Sequence, residues 1–252
     1  MVNLKNSATR TLISLMIVLV VLGFSIAWFY YKGINESVDP RIKQARKLYE
    51  KYNLFAQENQ YDSVFWLMDT IENIYQATDY YKDNYETAVL YNNRAAALLS
   101  IYLQPQNELL IGDSLEFLDN TERIVKRSIE IYENWFGVYE SKEESEIREI
   151  VEEDFLDGLN SYTENEQEKY LDNRIKELTE AQIENKRRLS VSYTNLGIIK
   201  RHQQKYDSAA FFYTRAIDLW DRNLTAENNL NILLNRPLKK RNLIQKLFPP
   251  EK

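Results

Sequence analysis

The chain has few residues of the kinds that carry acid–base, nucleophilic or metal chemistry. His202 is its only histidine and it contains no cysteine, so the sequence offers neither a multi-histidine metal site nor a histidine-activated cysteine. No G-x-S-x-G segment presents a serine that His202 could activate. Its place in the sequence makes His202 a turn residue rather than a general base. We therefore expect a non-enzymatic protein with no catalytic residue, metal or cofactor.

Nucleotide and nucleic-acid binding also find no support. The six glycines form neither a G-x-x-x-x-G-K-[ST] nor a G-x-G-x-x-G phosphate loop. The formal net charge is −6, whereas nucleic-acid binding normally needs a basic surface. We therefore expect no nucleic-acid partner.

The composition favours an all-α fold. The 252 residues are 44% hydrophobic, which is enough to build a substantial core. Only six glycines and five prolines occur, while strong helix formers are plentiful, and this favours helices over a turn-rich β fold. The lack of cysteine leaves the redox compartment open.

The elements that would position functional residues are best marked near the C-terminus. In YDSAAFFYTRAIDLW, Ala209, Tyr213 and Ala216 recur at spacings of four and three, so they share one helix face. The preceding helix, VSYTNLGIIK, contains Gly197, which costs about 1 kcal/mol relative to alanine at mid-helix. Small residues let helices approach closely, and a ring fills the remaining gap. The pattern predicts tight packing between the two helices.

The segment 190–223 resembles a tetratricopeptide repeat (TPR), a helix-turn-helix unit of about 34 residues. Lys200 and Asp221 depart from the family pattern, since they replace a usual aromatic residue and a usual closing proline. The residues that match the family's packing positions are Tyr193, Leu196, Gly197, Ala209, Tyr213 and Ala216. The resemblance implies a solenoid of helical hairpins.

Two further copies are predicted. VLYNNRAAALL and LDNTERIVKRSIEIY align with the helices of the best-matched copy, and RIKQARKLYEKYNLFAQ with YDSVFWLMDTIENIY forms another. The triplet Tyr-Asp-Ser, at 61–63 and 206–208, begins equivalent second helices. We predict a TPR-like solenoid over residues 40–236, with about three repeats near 41–78, 86–135 and 190–223.

Insertions and end segments complete the predicted domain. In the insertion 137–180, acidic residues outnumber basic ones roughly three to one, so it is either a solvated helix or connector, or an acidic surface for a basic partner. Leu171, Ile175 and Leu178 predict an apolar helical stripe there, and that helix could run unbroken to Tyr193. Residues 225–236 are predicted to form a capping helix that Pro237 ends or kinks. The basic amphipathic tail, 237–252, either caps the preceding helices or lies on a membrane surface.

The N-terminus carries a hydrophobic signal. Residues 11–31 form an uncharged run of about 20 residues, which predicts a transmembrane anchor between a short tail, 1–10, and a spacer, 32–39. A cleaved signal peptide is the alternative, although its apolar core is usually about 7–15 residues long. We expect a single-pass protein of the bacterial inner membrane with a periplasmic domain. The alternative topology has the domain facing the cytosol.

The resemblance implies peptide or protein binding on the concave face that first helices line. Asn93 and Asn195 share a repeat position where family members often hydrogen-bond a peptide backbone, and the alternative is that both cap or bridge helices. A carboxylate clamp of the kind found in chaperone-tail receptors is disfavoured, because Arg201 is the only basic group beside them. The predicted partner-binding residues are Asn92, Asn93, Ala96, Leu99, Thr194, Asn195, Ile198 and Arg201.

The sequence therefore predicts a membrane-anchored TPR scaffold or adaptor that binds proteins or peptides at an envelope complex, for assembly, secretion or chaperoning. One alternative is a sensory or regulatory subunit of a membrane signalling system. Another is a cytosol-facing, membrane-anchored TPR receptor. The sequence leaves the oligomeric state open.

Overall fold

The computed structural model describes residues 13–17, 19–24, 37–104 and 114–241. These residues are helical and include no strand, which confirms the all-α class. A helical stretch covers 13–17 and 19–24. The remaining helices are α1 (Lys43–Gln57), α2 (Tyr61–Gln76), α3 (Asp79–Lys82), α4 (Tyr85–Tyr102), α5 (Ser114–Tyr139), α6 (Glu144–Leu156), α7 (Glu164–His202), α8 (Tyr206–Leu219) and α9 (Leu224–Leu233).

The prediction of a transmembrane anchor is wrong. Across the described part of the chain, no helix is long and apolar enough to cross a membrane. Of the predicted span, 11–31, the structure describes 13–17 and 19–24 as helix. The rest of that range, the tail 1–10 and most of the spacer lie outside the described residues. The predicted location, a single-pass protein of the inner membrane, depends on that anchor and is therefore also wrong.

Three helix pairs form the body of the domain. α1 packs on α2, α4 on α5, and α7 on α8. Contacts of α2 with α4 and of α5 with α7 join successive pairs, and α9 packs on α8. The three pairs fall within or overlap the ranges predicted as repeats, and α9 covers most of the predicted capping helix.

The first and third hairpins turn in the same way. Asn59 and Gln204 adopt left-handed φ angles of 56° and 61°, a conformation that ends helices by turning the chain away from the axis. The next residue donates its N–H to the carbonyl five positions back, at 3.0 Å in the first hairpin and 2.9 Å in the third. Each Tyr-Asp-Ser triplet follows this turn directly, so the repeated letters mark a repeated local structure.

The acidic insertion is part of the core. Its second half is the beginning of α7, which runs unbroken for 39 residues into the third hairpin. Leu171, Ile175 and Leu178 are buried among residues of α1, α2, α4 and α6. Because α4, α5 and α7 contribute to this cluster and to a second one with α8 and α9, they join the two halves of the domain.

A close helix approach lies where the sequence predicts it. Ala209, Tyr213 and Ala216 on α8 are fully buried, and the Tyr213 ring lies against Gly197 on α7. A Cβ atom added to Gly197 would lie 2.5 Å from Cε1 of Tyr213, which is inside van der Waals contact. The glycine is therefore required by packing between α7 and α8.

Gly197→Ala is expected to destabilise the domain by about 1–3 kcal/mol, because overpacking outweighs the gain in helix propensity. Gly137→Ala is the matched control, since a Cβ there meets nothing within 4 Å, and it should stabilise the domain by up to about 1 kcal/mol. Urea unfolding monitored by circular dichroism measures both changes. Equal stabilisation by the two variants would show that Gly197 is not packed as described.

Candidate functional site

Two of the asparagines predicted to bind a peptide lie between helices. Asn195 Nδ2 on α7 donates to Asn92 Oδ1 on α4 at 2.9 Å, and Ser192 Oγ donates to the same oxygen at 3.0 Å. Both asparagines are buried. They therefore bridge α4 and α7, which is the alternative role that the sequence left open for Asn195. Asn93, for which the same alternative was open, is half-buried.

The other residues predicted to bind a partner differ in burial and in their contacts. Thr194 and Leu99 are buried, and Thr194 Oγ1 accepts a hydrogen bond from Asn223 Nδ2 at 2.9 Å. Arg201 Nη1 donates to Asn229 Oδ1 on α9 at 3.0 Å. The half-buried members of the set are Asn93, Ala96, Ile198 and Arg201. The structure thus brings the predicted residues together mainly as contacts within the domain.

His202 is the last residue of α7. Its ring packs edge-on against Tyr102, with the ring centroids 5.4 Å apart. Burial, and then the positive charge of Arg201, lower the pKa of its imidazole. No group of three or more His, Asp or Glu side chains in the described ranges could hold a metal ion.

A separate surface has the shape of a binding site. A cleft of about 400 Å³ opens between α1, α2, α4 and α7. Tyr49 from α1, Tyr75 from α2 and Tyr85 from α4 line it with aromatic rings. Arg46 and Glu86 add charge to the same walls. Ligand sites commonly combine such apolar walls with a few fixed polar groups.

Helix α7 lines the opposite wall with a charged stripe. Glu177, Glu180, Glu184 and Arg188 follow one another at spacings of three and four, so they share one helix face. Arg46 donates to both carboxylate oxygens of Glu177 at 2.6 Å, which links α1 to α7 across the cleft. The cleft therefore depends on the position of α7.

A buried arginine fixes that position. The side chain of Arg174 on α7 is 1% exposed, and it forms two hydrogen bonds to the carboxylate of Glu86 on α4. Its Nε donates to the Tyr80 hydroxyl at 3.1 Å, and its guanidinium lies 5.0–5.2 Å from the ring centroids of Tyr80, Tyr81 and Tyr85. Burial by itself would lower the pKa of Arg174, but the charge of Glu86 raises it well above its ordinary value.

Several polar groups near the cleft have no hydrogen-bond partner in the described chain. They are Tyr49 Oη, Tyr132 Oη, Trp135 Nε1 and Asn185 Nδ2. Burial raises the pKa of the Tyr49 and Tyr132 phenols, which keeps both hydroxyls protonated, although the charge of Arg188 opposes the shift at each. Buried polar groups are usually satisfied, so this concentration of unsatisfied donors is a feature of the site.

Sequence reasoning missed this cleft. Its residues come from four helices between positions 46 and 188, and no repeat position or motif connects them. The available signal was the apolar stripe of the insertion, which indicates that α7 packs against the other helices but not where its charged face lies. No protein-family model, curated protein or solved structure matches this chain.

Arg174→Ala should cost about 3–5 kcal/mol of unfolding free energy, because it leaves the Glu86 carboxylate buried and unpaired. The double variant Arg174→Met with Glu86→Gln should cost less than Arg174→Ala, since no buried charge then remains. Urea unfolding of the single and double variants measures the difference. The pairing is refuted if the double variant is destabilised by the sum of its two single substitutions.

Proposed function

We propose that the chain is a non-catalytic helical-repeat scaffold or adaptor of the TPR type, which binds a segment of another protein in the cleft between α1, α2, α4 and α7. One observation carries the proposal. Helices α1, α2, α4 and α7 line an open cleft that combines tyrosine rings with charged side chains. The resemblance places partner binding on the face of the first helices. Two of these, α1 and α4, line the cleft, and the α7 residues of the cleft, 177–188, directly precede the predicted third repeat.

The packing of the third hairpin supports the TPR assignment. The ring of Tyr213 fills the space left by Gly197, and Ala209 and Ala216 are fully buried on either side of it. These are the positions at which the family pattern requires small and large residues. The equivalent turns at Asn59 and Gln204 support a repeated unit in the same way.

The chemistry of the cleft supports binding of a protein segment. Aromatic rings and arginines are typical of the residues that dominate binding energy at protein interfaces. The polar groups here provide hydrogen bonds and charge to a bound segment. This cleft suits a partner segment that is held by aromatic rings and charged groups.

A photo-crosslinking amino acid at Glu180, at the edge of the cleft, is expected to capture one discrete partner. The same amino acid at Glu149 is the matched control, because Glu149 is an exposed glutamate on α6 outside the cleft. Mass spectrometry identifies the captured protein, which is then purified for direct binding measurements. Glu180→Lys should weaken its binding roughly fivefold, while Glu149→Lys should leave it unchanged. Equal crosslinking at both positions, or equal effects of both substitutions, contradicts the proposal.

A further inference from the structure

Ion pairing within the described ranges leaves two charges in the cleft without opposite partners. Glu86 is paired with Arg174, Glu177 with Arg46, and Glu184 with Arg187. Among the described residues, the remaining pair of lining charges, Glu180 and Arg188, forms no salt bridge. They lie eight positions apart on α7, which corresponds to about 12 Å along the helix. The cleft is therefore negative toward Glu180 and positive toward Arg188.

The surroundings of Arg188 contain several donors that have no partner in the described chain. Arg188 Nη1 donates to Asn185 Oδ1 at 3.0 Å. The Nδ2 donor of the same amide has no partner in the described chain. Asn185 and Tyr132 are fully buried, and the Tyr49 hydroxyl at the cleft wall has no partner within the described ranges. An incoming acceptor at the cleft wall would relieve the cost of leaving the Tyr49 hydroxyl unpaired.

We infer that the positive end of the cleft, formed by Arg188 and Tyr49, binds a carboxylate of the partner, and that Glu180 binds a cationic group on the same segment. This inference rests on the proposed function, because it specifies which partner segment the cleft takes. A carboxylate accepts charge-assisted hydrogen bonds from a guanidinium and a phenol. The neighbouring glutamates would repel a doubly charged phosphate more strongly than a carboxylate.

The separation of the two charges defines the partner segment. An extended chain spans about 3.3–3.6 Å per residue, so about 12 Å corresponds to three or four residues. The segment would therefore carry an acidic residue and a basic residue three or four positions apart. A peptide with both charges bridges Arg188 and Glu180, whereas a peptide with one charge satisfies one end of the cleft.

The test is a nuclear magnetic resonance titration of the isotope-labelled full chain with the peptide acetyl-Ala-Glu-Ala-Ser-Lys-Ala-amide. Saturable shifts are expected at the Asn185 side-chain amide and at the Arg188 Nε–H. Glutamine in place of the peptide's glutamate should weaken binding about tenfold or more and remove the Asn185 shift. Glutamine in place of its lysine should weaken binding while keeping that shift. Tighter binding of a phosphoserine peptide would overturn the choice of carboxylate.

Protein variants separate binding from folding. Tyr49→Phe removes a hydroxyl that has no partner in the described chain, so it should weaken peptide binding without lowering the midpoint of thermal unfolding. Arg188→Gln should weaken binding further. Lys176→Gln is the matched control, because it removes one positive charge from an exposed position of α7 outside the cleft, and it should bind like the unmodified chain.

The inference fails if the glutamate and glutamine peptides bind the unmodified chain equally, or if Tyr49→Phe and Arg188→Gln bind like Lys176→Gln. In that case, partner crosslinking at Glu180 would still uphold the proposed function. If the charged peptide binds as described but no partner crosslinks at Glu180, the carboxylate site stands and protein scaffolding is contradicted.

Discussion

The ion pair between Arg174 and Glu86 is the constraint on which the rest of the structure depends. Removing both groups from water is costly, and attraction between them offsets that cost only where the geometry is good. Here the guanidinium is held by two hydrogen bonds to Glu86, by the Tyr80 hydroxyl and by three tyrosine rings. Because so many contacts converge on one side chain, α7 has one favourable position on α4, and this position leaves the cleft open.

Because α7 is one unbroken helix, fixing it at Arg174 also positions its C-terminal part in the third hairpin. The same helix that presents Arg174 to α4 also presents Ser192 and Asn195 to Asn92 on α4. Farther on, Gly197 receives the Tyr213 ring of α8. The insertion that interrupts the repeats is therefore joined rigidly to the last repeat, and the charged face of α7 is held along the cleft.

Local pattern predicted the helices better than it predicted the site. The spacing of Leu171, Ile175 and Leu178 indicated a packed helix, and the small residues around Tyr213 indicated a close helix crossing, because both signals lie within a few turns of one helix. Arg174 and Glu86 are 88 positions apart, and nothing local distinguishes that arginine from a solvated one. The hydrophobic run at 11–31 shows a further limit of local pattern. It led to the prediction of a membrane span, which the described helices do not support.

Native-state hydrogen exchange of the full chain tests most directly whether α7 acts as one body fixed at Arg174. Amides of α7 at 171–180 and at 190–199 should exchange with the same free energy of opening, since contacts at both ends hold a single helix and would be lost together. Much faster exchange at 171–180 than at 190–199, with an opening free energy near zero, would contradict the account, because the wall of the cleft would then unfold independently of the domain.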